Sequence, residues 1–166
     1  KPEEVVSLAI QTKQSIYNTL IHHHPKTGLQ SKFSMEFCLV KILVDGYLGL
    51  DDFSDAVVQR DDIQNMLAKT IYSPFPDDEG AAKGYENYTT LVTFTLKDGR
   101  EFTERADYGK GSHMDPMTYE EVAEKARACS DYKGWPKDKF DALVDGWKNI
   151  DDCTDIRNVT QHLFEG

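Results

Sequence analysis

Pro25-Lys26-Thr27-Gly28-Leu29-Gln30-Ser31-Lys32-Phe33-Ser34 runs directly into Met35-Glu36-Phe37-Cys38-Leu39-Val40-Lys41-Ile42-Leu43-Val44-Asp45, the most apolar stretch of the chain. Only Glu36 and Lys41 interrupt the apolar run after Ser34. A helix that is apolar nearly all round is a buried one, so residues 35–45 predict the core helix of the fold. Ser31 is the expected N-cap. Asp45-Gly46 is the expected stop, because glycine accepts the left-handed cap conformation. The Lys-Thr-Gly loop is then held at the N-terminus of the core helix.

Working outward, Val5 to Ile10 alternates as a half-buried strand, with Val6, Leu8 and Ile10 expected on one face. Gln11 to Ile21 fits either a short helix or an irregular crossing. Beyond the core helix, Asp51-Asp52-Phe53 opens a second helix to about Val58. Asp61-Asp62 opens a third, with Ile63, Met66 and Leu67 inward. Thr70 to Phe75 is a short extended piece, and Asp77 to Asn87 reads as an exposed loop.

Tyr88 to Leu96 alternates and meets Asp98-Gly99, a hairpin signal. A two-residue loop would put Phe102 on the threonine face of the strand. A three-residue loop, Lys97-Asp98-Gly99, pairs Phe94 with Phe102 and keeps the apolar face intact, so the pattern selects it. Tyr108 to Pro116 is a glycine-rich loop that matches no phosphate-binding pattern. Thr118 with Glu121 forms a capping box for a helix to about Ser130. Lys137 to Asn149 places Phe140, Leu143, Val144 and Trp147 on one helical face. A last helix from Asp155 would turn Ile156, Val159 and Leu163 inward. The order implies one α+β domain over residues 1–166, with a small antiparallel or mixed sheet of about three to four strands, some five to six helices and one central buried helix.

The 166 residues carry a net charge of -10 and 39% hydrophobic residues. The acidic balance argues against nucleic acid, which wants a basic footprint, and against an anionic membrane surface. Cys38, Cys129 and Cys153 are odd in number and lack metal-ligand spacing. Lys1-Pro2-Glu3-Glu4 lacks the apolar core of a signal peptide, so a reducing, cytoplasmic setting is the expectation.

His22-His23-His24 invites a metal reading. Adjacent residues on an extended chain point to opposite faces, and no His-x-Glu or cysteine pair stands nearby to complete a four-ligand site. No metal site is therefore expected, and His23 is kept as a candidate contact facing a ligand pocket. Lys26 and Lys32 flank the entry to the core helix, whose unpaired N–H groups and partial positive charge suit an anion. Thr27 and Ser34 could add donors. The alternative is purely structural: a turn at Gly28, a cap, and solvated lysines. No Ser-His-Asp or Cys-His set and no paired-carboxylate site can be assembled from spacing.

The opening stretch, with its apolar helix ending at Asp45-Gly46, resembles the C-terminal domain of the MmgE/PrpD family. That family includes 2-methylcitrate dehydratase of propionate metabolism, cis-aconitate decarboxylase and iminodisuccinate epimerase. Phe53-Ser54-Asp55, Arg60-Asp61-Asp62-Ile63, Thr93-Phe94-Thr95-Leu96-Lys97-Asp98-Gly99-Arg100, Gly109-Lys110-Gly111 and Asp115-Pro116-Met117-Thr118 continue the resemblance in order. It implies the α+β lid of a lyase acting on di- or tricarboxylates, with no metal and no other cofactor. Its active-site cleft would be shared with a large helical domain outside these residues. The family's main catalytic groups lie elsewhere, so no residue here is assigned a catalytic role, and the lone chain is expected to be inactive. Lys32, Lys26, Thr27, Ser34 and His23 are the candidate substrate contacts. The expected partners are a small di- or tricarboxylate, the helical domain, and a second copy meeting an exposed apolar patch. Two alternatives are a dicarboxylate epimerase and a stand-alone carboxylate- or partner-binding module.

Overall fold

The computed structural model describes residues 1–76, 83–86 and 88–163, apart from the side chain of His162. The exposed loop expected over residues 77–87 lies largely outside the described residues. The chain divides into two compact units, Lys1–Asp115 and Pro116–Gly166.

The first unit is built on a four-stranded sheet in the order β2-β1-β3-β4. Its strands are β1 (Val5–Thr12), β2 (Thr70–Pro74), β3 (Thr90–Leu96) and β4 (Glu101–Ala106). β1 pairs with β2 in parallel and with β3 antiparallel, and β3 with β4 antiparallel, so the sheet is mixed. A parallel pair needs a crossover connection. Here α1 (Gln14–Thr19), α2 (Gly28–Ser31), α3 (Met35–Asp45), α4 (Asp55–Val58) and α5 (Asp61–Leu67) supply it.

The hairpin follows the apolar pattern. Phe94 pairs with Phe102 and Thr95 with Glu101, and Gly99 takes φ +84° in the three-residue loop. β1 departs from its expected alternation. The pairing steps from Val5–Leu96 to Ser7–Thr95, leaving Val6 as an extra residue. Such a bulge shifts the phase of every residue before it. Val5 is therefore buried with Leu8 and Ile10, while Val6 is 41% exposed.

The core helix has the expected bounds but a different cap. Ser34, not Ser31, is its N-cap, with its hydroxyl accepting from the Phe37 N–H. Ser31 ends α2 instead, and its hydroxyl donates to the Gly28 carbonyl. Gly46 at φ +82° closes α3 as expected. The helix is not buried all round. Phe37 and Val40 are fully buried, yet so are the two polar residues, Glu36 at 3% and Lys41 at 1% exposure, while Ile42 is exposed. α3 packs on α5 and β2. Leu8, Ile10, Phe37, Val40, Val58, Ile63 and Leu67 form the centre of the core. Burying each such side chain contributes about 1.5–3 kcal/mol. The helix expected at 51–58 is broken into a 3-10 turn, Leu50–Asp52, and α4.

Gly28 seats α2 against the chain at Phe53 and Ser54. A Cβ there would lie 2.2 Å from the Phe53 carbonyl oxygen. The Gly28 N–H donates to Asp55 Oδ1 at 2.7 Å. The glycine-rich loop closes on itself, with the Gly111 N–H donating to the Asp115 carbonyl at 2.7 Å.

The second unit contains α6 (Tyr119–Lys133), α7 (Lys137–Lys148) and α8 (Arg157–Thr160). The Thr118–Glu121 capping box starts α6, and Gly134 at φ +66° ends it. Phe140 and Val159 are buried. Ile156 and Leu163, expected inward, are half exposed, because the expected last helix is reduced to the single turn α8, with Ile156 as its N-cap and Leu163 in a 3-10 turn beyond it. Tyr119, Val122, Ala126, Leu143, Val144 and Trp147 line an apolar groove between α6 and α7. No helix among the described residues is long and apolar enough to cross a membrane.

Candidate functional site

Two of the candidate residues meet at the N-terminal end of α3. His23 Nδ1 lies 2.9 Å from Glu36 Oε1. The Ser34 hydroxyl donates to Glu36 Oε2 at 3.3 Å. The His23 ring stacks on Tyr17 of α1, with centroids 4.6 Å apart and planes 19° apart. Tyr72 of β2 meets the same imidazole edge-on at 5.6 Å. Its own hydroxyl shares a 2.8 Å hydrogen bond with Thr12 Oγ1. Burial raises the Tyr72 hydroxyl above its ordinary pKa, the Thr12 bond opposes this, and the Glu36 charge adds to it. Burial likewise pushes the Cys38 thiol up to about 11, with Glu36 adding to the effect. Glu36, Tyr17 and Tyr72 are the members of this cluster that the sequence pattern missed. A carboxylate inside an otherwise apolar helix was the signal available, since a buried charge must be paired.

The remaining candidates lie apart from it. The Thr27 hydroxyl caps α2, accepting from the Gln30 N–H at 3.3 Å. Lys26 Nζ donates to Gln64 Oε1 at 2.7 Å, and its carbonyl accepts from Gln59 Nε2. Lys32 is exposed and has no ion-pair partner among the described residues. The N–H groups of Gly28, Gln30 and Phe37 already have protein acceptors in Asp55, Thr27 and Ser34. Glu36 also places a carboxylate in the first turn of α3.

At the other end of α3, Lys41 Nζ lies 2.8 Å from Asp45 Oδ2 and 3.0 Å from Asp52 Oδ1. Arg60 grips Asp45 with two hydrogen bonds of 2.7 and 3.0 Å and reaches Asp62 as well. Burial works against the Lys41 ammonium, but the bonds to Asp45 and Asp52 outweigh it and raise its pKa. Arg60 first and Lys41 second hold the Asp45 carboxyl down to about 2. This is a closed, compensated network.

An open cleft of about 790 Å³ lies between α1, α3 and the β3–β4 hairpin. Ile16, Leu20, Met35, Leu39 and Val92 line it, with Tyr88, Arg105 and Tyr108 among the other lining residues. Among the described residues no group of three or more His, Cys, Asp or Glu could hold a metal ion.

The sequence profile of the MmgE/PrpD C-terminal domain matches residues 1–149. The chain belongs to the MmgE/PrpD family. Human (Homo sapiens) cis-aconitate decarboxylase is 26% identical over 140 residues, which are 84% of this chain and 28% of that protein. Mouse (Mus musculus) cis-aconitate decarboxylase is 25% identical over 139 residues, with the same 84% and 28% coverage. The chain thus spans under a third of the length of these relatives. The match takes in the whole sheet, the α3 core helix and the glycine-rich loop, and extends through α6 and α7.

Proposed function

We propose that this MmgE/PrpD chain is the lid part of a lyase that decarboxylates or dehydrates a di- or tricarboxylic acid. Its active-site cleft is shared with a helical domain outside these residues. The observation that carries the reading is the family match, joined to relatives named for decarboxylation of a tricarboxylate. The apolar cleft between α1, α3 and the hairpin supports it, since an exposed apolar surface of this kind marks an interaction site.

In this reading Lys32 and Lys26 supply positive charge toward the substrate carboxylates, because charge-assisted hydrogen bonds give the strongest polar recognition. Lys32, with no ion-pair partner among the described residues, is the principal contact. The Thr27 and Ser34 hydroxyls already cap helices, which leaves the charge recognition to the lysines. Closing a lid of this kind excludes water and strengthens each of these contacts.

The test is to join the chain to a family helical domain and follow the consumption of cis-aconitate and 2-methylcitrate by chromatography. The chain alone should consume neither, and the joined protein one or both. Failure of the joined, folded protein to act on any di- or tricarboxylate overturns the reading. Lys32→Ala in the joined protein should raise KM roughly tenfold, the loss of one charged hydrogen bond. Unchanged kinetics would remove Lys32 from the site.

A further inference from the structure

His23 is fixed more firmly than a loop histidine requires. Its Nδ1 is held 2.9 Å from Glu36, whose side chain is 3% exposed. One ring face is covered by Tyr17, and Tyr72 approaches edge-on. The backbone beside it is tied as well, since the His22 N–H donates to the Phe33 carbonyl at 3.2 Å. The side chain remains 31% exposed. Nε2 has no hydrogen-bond partner among the described residues. The one buried, unpartnered side-chain polar atom among them is Ser130 Oγ. Nε2 therefore reaches solvent.

This is the arrangement in which a carboxylate orients an imidazole and frees its far nitrogen: Glu36 holds the ring through Nδ1–H, and Nε2 presents a lone pair. The Ser34 hydroxyl in turn fixes Glu36. Among the described residues, the groups set against the ring are Glu36 from α3, Tyr17 from α1 and Tyr72 from β2.

We infer that His23 Nε2 is a proton-transfer site, oriented by Glu36, for a carboxylic acid ligand. In the forward direction an acidic C–H or O–H bond of the ligand breaks, and its electron pair stays on the ligand. The N–H bond forms on Nε2, and the imidazolium charge is offset by Glu36, which remains a carboxylate. Delivery of the proton is the reverse. The choice of a carboxylic acid rests on the lyase reading above, whereas the orientation of the ring does not.

The test uses the chain as it stands. Long-range ¹H–¹⁵N spectra, recorded where the imidazole is neutral, should show His23 protonated at Nδ1 with a pyridine-like Nε2. Diethyl pyrocarbonate should acylate His23 several-fold faster than His22 or His24. Glu36→Gln should scramble the tautomer and abolish that advantage. His23→Asn keeps a donor toward Glu36, so it should fold like the parent and lose the fast-reacting group. A proton on Nε2 in the parent chain, or a rate no higher than that of the flanking histidines, overturns the assignment. A tautomer unchanged in Glu36→Gln removes Glu36 as the orienting group. Added cis-aconitate should shift the Nε2 resonance and slow its acylation. An Nε2 unmoved by it, with the tautomer intact, overturns the carboxylic acid ligand and with it the transfer proposed here, while the lyase reading still answers to the joined-protein assay.

Discussion

The two ends of α3 each bury one charged residue, and they resolve it in opposite ways. Lys41 is enclosed by Asp45 and Asp52, and Arg60 binds Asp45 from outside. Every cation in the cluster faces a carboxylate and every carboxylate a cation, so the cluster has one stable arrangement. Glu36 is met by a histidine and a hydroxyl, and the histidine is partly open to water. Only one nitrogen of that imidazole is engaged, and the far nitrogen has no hydrogen-bond partner among the described residues. The C-terminal end is built to stay fixed. The N-terminal end leaves one imidazole nitrogen open to exchange a proton, as proposed above.

The largest effect that would test this contrast is Lys41→Ala. Removing one partner of a buried ion cluster costs roughly 3–5 kcal/mol, so a large drop in the denaturant midpoint is expected. A loss below about 1 kcal/mol, the range of exposed pairs, would show that the C-terminal end is not an anchor. Gly28→Ala comes next. Its Cβ would meet the Phe53 backbone at 2.2 Å, so α2 must lift from its seat at a cost of about 1–3 kcal/mol by overpacking. Ser34→Ala removes the α3 cap and the hydroxyl on Glu36, and should cost about 1 kcal/mol. If it costs as little as a surface change, the cap is not what fixes Glu36.

The acid response of the C-terminal end probes the same contrast through pH. Asp45 is lowered to about 2 in the folded chain, against an ordinary value of ~3.9. A depressed carboxyl stabilises fully above the unfolded value, and this contribution is lost as pH falls through the folded one. Stability should therefore decline between about pH 4 and pH 2, and Asp45→Asn should flatten that part of the curve. An unchanged slope would detach Asp45 from the network.

What the sequence disclosed follows the range of each signal. The bounds of α3, the Phe94–Phe102 register and the Thr118–Glu121 capping box are set by residues within a few positions of one another, and all stand in the structure. The Val6 bulge was hidden, because the alternation of Val5 to Ile10 reads smoothly and only the β3 register reveals the extra residue. Ser31 is the expected cap of α3, three positions before the serine that performs the role. The short helix α2, which the sequence pattern does not separate from the loop, takes Ser31 as its last residue and leaves the cap of α3 to Ser34. The burial of Glu36 and Lys41 could not be read locally. Their partners, His23 and Asp52, are 13 and 11 positions away and depend on how the loops return. The same holds for the candidate site. His23 and Ser34 converge only because Glu36 lies between them, and Lys26 is drawn off toward Gln64.

The parallel pairing of β1 with β2 also sets an order of assembly. Thr12 and Tyr72 are 60 residues apart and share a hydrogen bond across that pair. All five helices of the crossover lie within the loop that must close first, and closing such a loop loses entropy before any contact compensates. The β3–β4 hairpin closes over three residues and forms on a microsecond scale. Pulse-labelled hydrogen exchange during refolding should therefore protect the Phe94 amide before that of Leu8. The Tyr17–His23–Tyr72 cluster takes ring groups from both ends of this long closure. It is complete only when β2 has returned to β1, so the proton-handling end of the core helix waits on the longest closure of the sheet.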